Sequence, residues 1–189
     1  RYFLLREVSF GLDGDFSEKE LIKRANSELA DKLGNLLNRS LGMLGKYFAG
    51  VVPVPGPSEP EDAALSACGR NIVPAVAAAM DEVAFHKALA AIMELVTKGN
   101  EYVQSTQPWA LAKDPGKRAR LGTVLYNALE ASRVAALLMA PFTPTAAQKL
   151  ENATFDTYVR EVITTAFAAR PRGWLVLTGP YGSGKTHLA

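Results

Sequence analysis

The sequence predicts a mainly α-helical fold: an antiparallel helical bundle over residues 1–150, then a short helix, one strand and a glycine-rich loop over residues 151–189. Three observations predict it. Apolar residues recur at spacings of three and four through the long stretches, and no strand-like alternation appears before Leu150. Clusters of proline and glycine interrupt these stretches at helix-like intervals. A single unbroken apolar run, Trp174-Leu175-Val176-Leu177, stands just before the glycine loop, as suits a strand buried on both faces.

The elements follow in order. Ser17-Glu18-Lys19-Glu20 is a capping box that opens a long helix closing near Gly50. Leu29, Leu33, Leu36, Leu37, Leu44 and Phe48 form its apolar stripe. Asn35, Arg39, Gly42 and Lys46 cluster on the opposite side, facing water or a partner. Residues 51–61 carry Pro53, Pro55, Gly56, Pro57 and Pro60 and read as a surface loop. An alanine-rich helix spans about 60–80, with Pro74 expected to kink it. The next helix, about 82–105, buries Phe85, Leu89, Ile92, Met93 and Val96 and ends at Gln107-Pro108-Trp109, since a residue before proline leaves the helical region. Asp114-Pro115 starts a helix carrying Leu121, Leu125, Leu129 and Leu138 to Pro141, and Thr143-Pro144 starts a short one to Leu150. Beyond it a helix is expected at about 155–169 and the strand at 174–177.

Composition narrows the function. The 189 residues are 48% hydrophobic and 21% charged, with a formal charge of only +2. That is ordinary for a globular protein, and too weak a balance for gripping nucleic acid by bulk charge. It leaves room for a few side chains reading a few bases. Cys68 is the single cysteine, so there is neither an intrachain disulfide nor a thiolate cluster, and a reducing, cytoplasmic setting is expected. Cys68 itself reads as a small buried residue, and His86 as a core histidine. Apolar runs such as 134–142 are too short to cross a bilayer, and no membrane partner is expected. The opening Arg1-Tyr2-Phe3-Leu4-Leu5 reads as the middle of a longer product.

Two groups of residues carry chemistry. Gly179-Pro180-Tyr181-Gly182-Ser183-Gly184-Lys185-Thr186 fits the phosphate-loop pattern G-x-x-x-x-G-K-[ST]. Gly179, Gly182 and Gly184 would let backbone N–H groups turn toward phosphate oxygens, Lys185 would reach the β- and γ-phosphates, and Thr186 would ligate magnesium. ATP and Mg2+ are thus possible ligands. The sequence closes at Ala189, so a truncated or vestigial nucleotide site is expected, on a tail loosely docked after about Thr154. The second group lies in the bundle. Asn35 and Arg39 sit one turn apart and offer base-edge donors and acceptors, while Trp109 is a stacking platform. Taken singly, Asn35 and Arg39 also suit a solvated face and Trp109 a core anchor. Lys113, Lys117, Arg118 and Arg120 gather near the same helix break, either as phosphate contacts or as a solvated helix start.

Several blocks resemble one family in one order. They are residues 1–5, Asp13-Gly14-Asp15-Phe16-Ser17, Leu33-Gly34-Asn35-Leu36-Leu37-Asn38-Arg39, Gly99-Asn100-Glu101-Tyr102, the stretch from Gln107 to Lys113, and Ala140-Pro141-Phe142-Thr143-Pro144. Together they look like a methionyl-tRNA synthetase just after its catalytic domain. The resemblance implies a helical bundle of the class I synthetase anticodon-binding type, with Asn35, Arg39, Pro108 and Trp109 reading a methionine-tRNA anticodon. It also implies a catalytic domain upstream as partner, and no catalytic residue or required cofactor in this stretch, which would not aminoacylate alone. From Ala153-Thr154-Phe155-Asp156 through Gly173-Trp174 and the glycine loop to His187-Leu188-Ala189, the tail resembles the start of a bacterial helicase-loader ATPase. A chimera joined near Leu150 is the expectation, whether a natural fusion, an engineered joint or an assembly of two reading frames. The rival readings are an ATPase fragment with a helical partner-binding module, and a helical protein-interaction bundle.

Overall fold

A computed structural model describes residues 1–149, and those residues are helical with connecting turns. A short helix α1 (Tyr2–Glu7) precedes α2 (Glu18–Arg24), which continues through a π-helical stretch (Ala25–Gly34) into α3 (Asn35–Phe48). There follow α4 (Pro60–Asp81), α5 (Phe85–Thr106), the single turn α6 (Pro108–Leu111), a 3-10 turn (Pro115–Lys117) and α7 (Arg118–Met139). Residues 144–149 begin a further helix. The helix expected at 155–169, the strand at 174–177, and the phosphate-loop residues Gly179, Gly182, Gly184, Lys185 and Thr186 lie outside the described residues.

The long first helix starts where its cap predicts: Ser17 Oγ accepts from the Glu20 N–H at 3.3 Å. The reciprocal half of the box is replaced, because the Glu20 carboxylate pairs with Lys23 Nζ at 3.2 Å. The helix ends at Ala49, left-handed with φ 52°, and the Gly50 N–H closes back on the Leu44 carbonyl at 3.2 Å. Leu33, Leu36, Leu37 and Leu44 are buried as the stripe requires, with Leu29 and Phe48 at its half-buried ends. The π-helical stretch inside it is invisible to a period-3.6 reading. So is α1, which buries Tyr2 and Phe3.

Helix α5 begins three residues later than its pattern suggests, since Val83 takes a left-handed φ of 56° in the turn after α4. Similarly, α7 is preceded by a 3-10 turn because the Asp114 carboxylate accepts from the Gly116 N–H at 2.9 Å and tightens the chain there. Pro74 does sit inside α4; it is exposed, so the carbonyl it leaves without an amide partner faces water. With a mean hydropathy of 1.3 over an 18-residue window, α4 is long and apolar enough to cross a membrane, which a search for unbroken apolar runs overlooks. Its alanines account for that, and its larger side chains Leu65, Ile72 and Val76 are buried against the bundle.

At the centre is α7. It packs on α3, α4, α5 and α6, and almost every side chain from Leu121 to Ala136 is buried. The sequence reading gave it one leucine stripe; in the fold it is enclosed on all sides, as suits an apolar helix with small residues between the large ones. Its polar residues are satisfied internally. Glu130 and Arg133 form a two-point ion pair at 2.6 and 2.8 Å. Thr123 Oγ1 accepts from the Gly56 N–H at 2.8 Å and so fastens the proline-rich loop down. Gly99 lets α5 and α3 approach closely: a Cβ there would stand 2.7 Å from Leu36 Cδ2.

Candidate nucleic-acid interface

The first long helix and the α5–α6 break together build the site. Asn35 opens α3 and is exposed; Arg39, one turn on, is half-buried. At the break, Gln107 adopts φ 46° and ψ 60°, so the chain turns sharply there. Its carbonyl accepts from the Ala110 and Leu111 N–H groups at 2.8 and 3.2 Å, starting α6 at once. Pro108 suits the first helical position, having no N–H to satisfy. Its ring is less than 2% exposed and anchors the turn in the core. Trp109 next to it is half-buried, one edge on the core.

This arrangement brings the Arg39 guanidinium to 5.4 Å from the centroid of the Trp109 ring. The cation thus already occupies an aromatic face, which favours it by about 0.5–1 kcal/mol at exposed sites. Among the described residues, no carboxylate pairs with Arg39. Asn35 and Arg39 line a hollow of about 390 Å³ whose far wall is α5, through Asn100 and Gln104. Asn35 also borders a second hollow of about 430 Å³ with Asn38. Asp31 and Glu101 rim the first hollow. Lys32 also lines it, so two cations face two carboxylates and the hollow offers phosphate no net positive charge, whereas its amides, guanidinium and acids together match the donors and acceptors of base edges.

The structure therefore joins Arg39 to Trp109 by the stack and to Asn35 through the shared hollow, while the Pro108 side chain is buried away from solvent. The basic residues near the break divide. Lys113, Lys117 and Arg118 are exposed, Arg118 lying 4.7 Å over the Phe48 ring. Arg120 turns inward, bonding Asp62 at 2.5 Å and Glu59 at 3.2 Å, so it is spoken for by the fold. That pairing also offsets the cost of a cation at the α7 N-terminus. Sequence reasoning missed the α5 wall. Its signal was available: Asn100 and Gln104 are one turn apart on the helix that ends just before the Gln107-Pro108-Trp109 break. Cys68 and His86 are each half-buried rather than enclosed, and burial pushes the Cys68 thiol upward.

A helical bundle presenting an arginine-stacked indole beside open amides has the kinds of side chain that suit unstacked single-stranded bases. The comparisons specify the family. The family model described as the anticodon binding domain of methionyl tRNA ligase matches residues 52–176, and that of the class I tRNA synthetases (M) matches residues 1–41. The chain is 49% identical over 150 residues to the methionine–tRNA ligase of Caldanaerobacter subterraneus subsp. tengcongensis, covering 79% of this chain and 24% of that protein. The ligase of Clostridium perfringens is 43% identical over 159 residues, 84% of this chain and 24% of that one. The crystal structure of apo Mycobacterium tuberculosis methionyl-tRNA synthetase superposes with a TM-score of 0.78 at 42% identity, covering 80% of this chain and 31% of that one. The chain belongs to the methionyl-tRNA ligase family, as its anticodon-binding region, and spans about a quarter of the length of these curated relatives. Asn35 and Arg39 fall in the synthetase match and Pro108 and Trp109 in the anticodon-domain match, so the candidate residues span the two.

Proposed function

We propose that this chain reads the anticodon loop of a methionine tRNA, supplying specificity to a ligase whose chemistry lies in another part of the protein. The observation that carries the reading is the Arg39–Trp109 stack, whose arginine also lines the amide-lined hollow. Trp109 receives one unstacked base on its open face, Asn35 and Arg39 hydrogen-bond to base edges, and buried Pro108 holds the indole at its angle. Side chains of this kind contribute about 1–3 kcal/mol per stacked base. The ligase's catalytic portion is the natural partner for the apolar surface of Leu4, Phe10, Leu12, Phe16 and Ile22, each more than half exposed and each within the class I synthetase match. A fluorescence titration with a methionine anticodon stem-loop, beside one with a scrambled anticodon, tests the reading. Preferential binding that falls about tenfold or more in Trp109→Ala and Arg39→Ala is the expected result. Equal binding of both stem-loops would remove it.

For residues 151–189 the proposal is separate: a phosphate loop at Gly179, Gly182, Gly184, Lys185 and Thr186, resembling a helicase loader's, joined to the bundle of residues 1–150. The anticodon-domain match runs to residue 176 and stops short of Gly179. Millimolar ATP with magnesium raises the melting temperature if the loop holds nucleotide, by mass action, and Lys185→Ala abolishes the rise. No shift with the intact chain would discard this nucleotide site.

A further inference from the structure

Asn35 does not follow an ordinary helix. The ten residues before it, Ala25–Gly34, are π-helical, and the Asn35 N–H is shared between the Ala30 carbonyl five residues back and the Lys32 carbonyl three back. Such stretches are rare, and short where they occur, because their wider turn packs the axis poorly. They persist where the surroundings hold them. Three local features do so here.

The first is Glu28, an acid only 7% exposed. Its carboxylate accepts from the Tyr2 hydroxyl at 2.5 Å and pairs with Arg24 at 3.2 Å and Arg6 at 3.5 Å. The second is Asn100 of α5, whose Nδ2 donates to the Lys32 carbonyl at 3.1 Å as well as to Val96 in its own helix at 3.0 Å. That bond reaches across from the neighbouring helix to a backbone acceptor three residues before Asn35. The third is Gly34. A Cβ at this position would meet the Leu29 carbonyl oxygen at 3.2 Å, tighter than side chains ordinarily tolerate.

The consequence is rotational. A π turn takes in more residues than an α turn, so converting residues 25–34 to α geometry would rotate α3 relative to α2. The α3 face that carries Asn35 and Arg39 would swing with it, and Arg39 would leave the Trp109 ring. We propose that Glu28 and Asn100 are positioning residues for base reading: by holding the π-helical stretch they set the azimuth of Asn35 and Arg39 toward Trp109. This rests on the anticodon reading above, and adds residues that act through backbone geometry. Glu28 is the sharper case, since it lies on the α1 side of the helix and does not line the hollow.

The test separates the two ideas by using a readout that needs no RNA. In a Trp174→Phe background, Trp109 is the sole tryptophan and its emission reports the guanidinium stacked on it. Glu28→Gln, Asn100→Ala and Gly34→Ala are each expected to move that emission toward the value of Arg39→Ala while helical circular dichroism is kept. The preference for the cognate stem-loop should fall by about two- to tenfold, the worth of one net hydrogen bond. A merely structural role would lower the melting temperature and leave both the folded-state emission and the stem-loop preference where they were; that result overturns the proposal. If wild-type protein shows no anticodon preference, the functional reading fails while the emission data still decide whether the clamps set Arg39. Should Glu28→Gln not fold, Gly34→Ala carries the same decision, and Asn100→Ala, whose side chain lines the hollow, decides by the Trp109 emission alone.

Discussion

The molecule uses the same kinds of side chain twice, to opposite ends. Between α4, α5 and α7 stand an arginine, an asparagine and an aromatic: Arg120, Asn127 and Tyr102. Asp62 lies at their centre, its side chain 3% exposed. It accepts from Arg120 at 2.5 Å, from the Tyr102 hydroxyl at 2.5 Å and from the Glu59 N–H at 2.8 Å, while Asn127 donates to the Tyr102 oxygen at 3.3 Å. On the surface stand Arg39, Asn35 and Trp109; Asp31 and Glu101 rim the hollow, but among the described residues no carboxylate pairs with Arg39. The inner group has its anion built in and is saturated; the outer one keeps its donors open to a ligand. What separates a stabilising cluster from a recognising one here is an acid paired to the arginine, not a different vocabulary of residues.

The largest effect comes from removing that acid. Asp62→Ala leaves the partly buried Arg120 with only the exposed Glu59 as partner and strips the Tyr102 hydroxyl of its acceptor. A loss of about 3–5 kcal/mol in urea-unfolding stability is expected, the range for breaking a buried charge pair on one side. In contrast, stem-loop affinity of the molecules still folded should stay near wild type. A stability change within about 0.5 kcal/mol would show that the cluster is not what joins α4, α5 and α7.

Much of this was legible in the sequence, and the failures have physical causes. The α3 stripe and its opposite polar face can be read because helical period fixes both at once, and Asn35 and Arg39 came with that face. The break at Gln107-Pro108-Trp109 is legible because proline acts locally. By contrast, Arg39 stacking on Trp109 is a tertiary contact between distant stretches, which no local pattern encodes. Burial of Pro108, enclosure of α7 and the inward turn of Arg120 all depend on which helices surround them. The Asp62 cluster draws one residue each from α4 and α5 and two from α7, and none of them is marked out by its own segment. The π-helical stretch escaped because a period-3.6 template cannot register an i→i+5 turn; Gly34 was its one local trace.

A pH experiment sharpens the same contrast at smaller amplitude. Burial by itself would raise the Asp62 pKa, but the bonds from Arg120, the Glu59 N–H and Tyr102 outweigh it and hold the carboxyl below its usual range. A depressed carboxylate contributes stability above its unfolded pKa of about 3.9, and that contribution is lost as pH falls through the folded value. Tyr102 is shifted the other way, pushed well up by burial and then by its bond to Asp62. Its neutral form therefore supports the fold below about pH 10, and that support fades as pH rises further. Asp62→Asn is expected to flatten the acid limb of the stability curve below about pH 4, and Tyr102→Phe the alkaline limb. Unchanged limbs in both variants would mean that other groups govern the titration.

The smallest expected effect falls on the open cluster and asks what its arginine contributes. Arg39→Lys keeps the charge, so if the position serves only as a cation near RNA, affinity and anticodon preference survive at all salt concentrations. The geometry argues otherwise. A planar guanidinium can lie over the Trp109 ring and still direct N–H groups sideways at a base edge, whereas an ammonium on a flexible stem cannot hold both orientations. Since the sites differ by a fork and a stack rather than by charge, the substitution should cost about 1 kcal/mol, near fivefold in affinity for the methionine stem-loop. Binding of the scrambled stem-loop, which uses charge and little else, should hardly move. The discriminating quantity is thus the ratio of the two affinities, measured at two salt concentrations: a ratio that falls equally at both places the loss in base reading, because a loss of simple charge attraction would shrink as salt screens it.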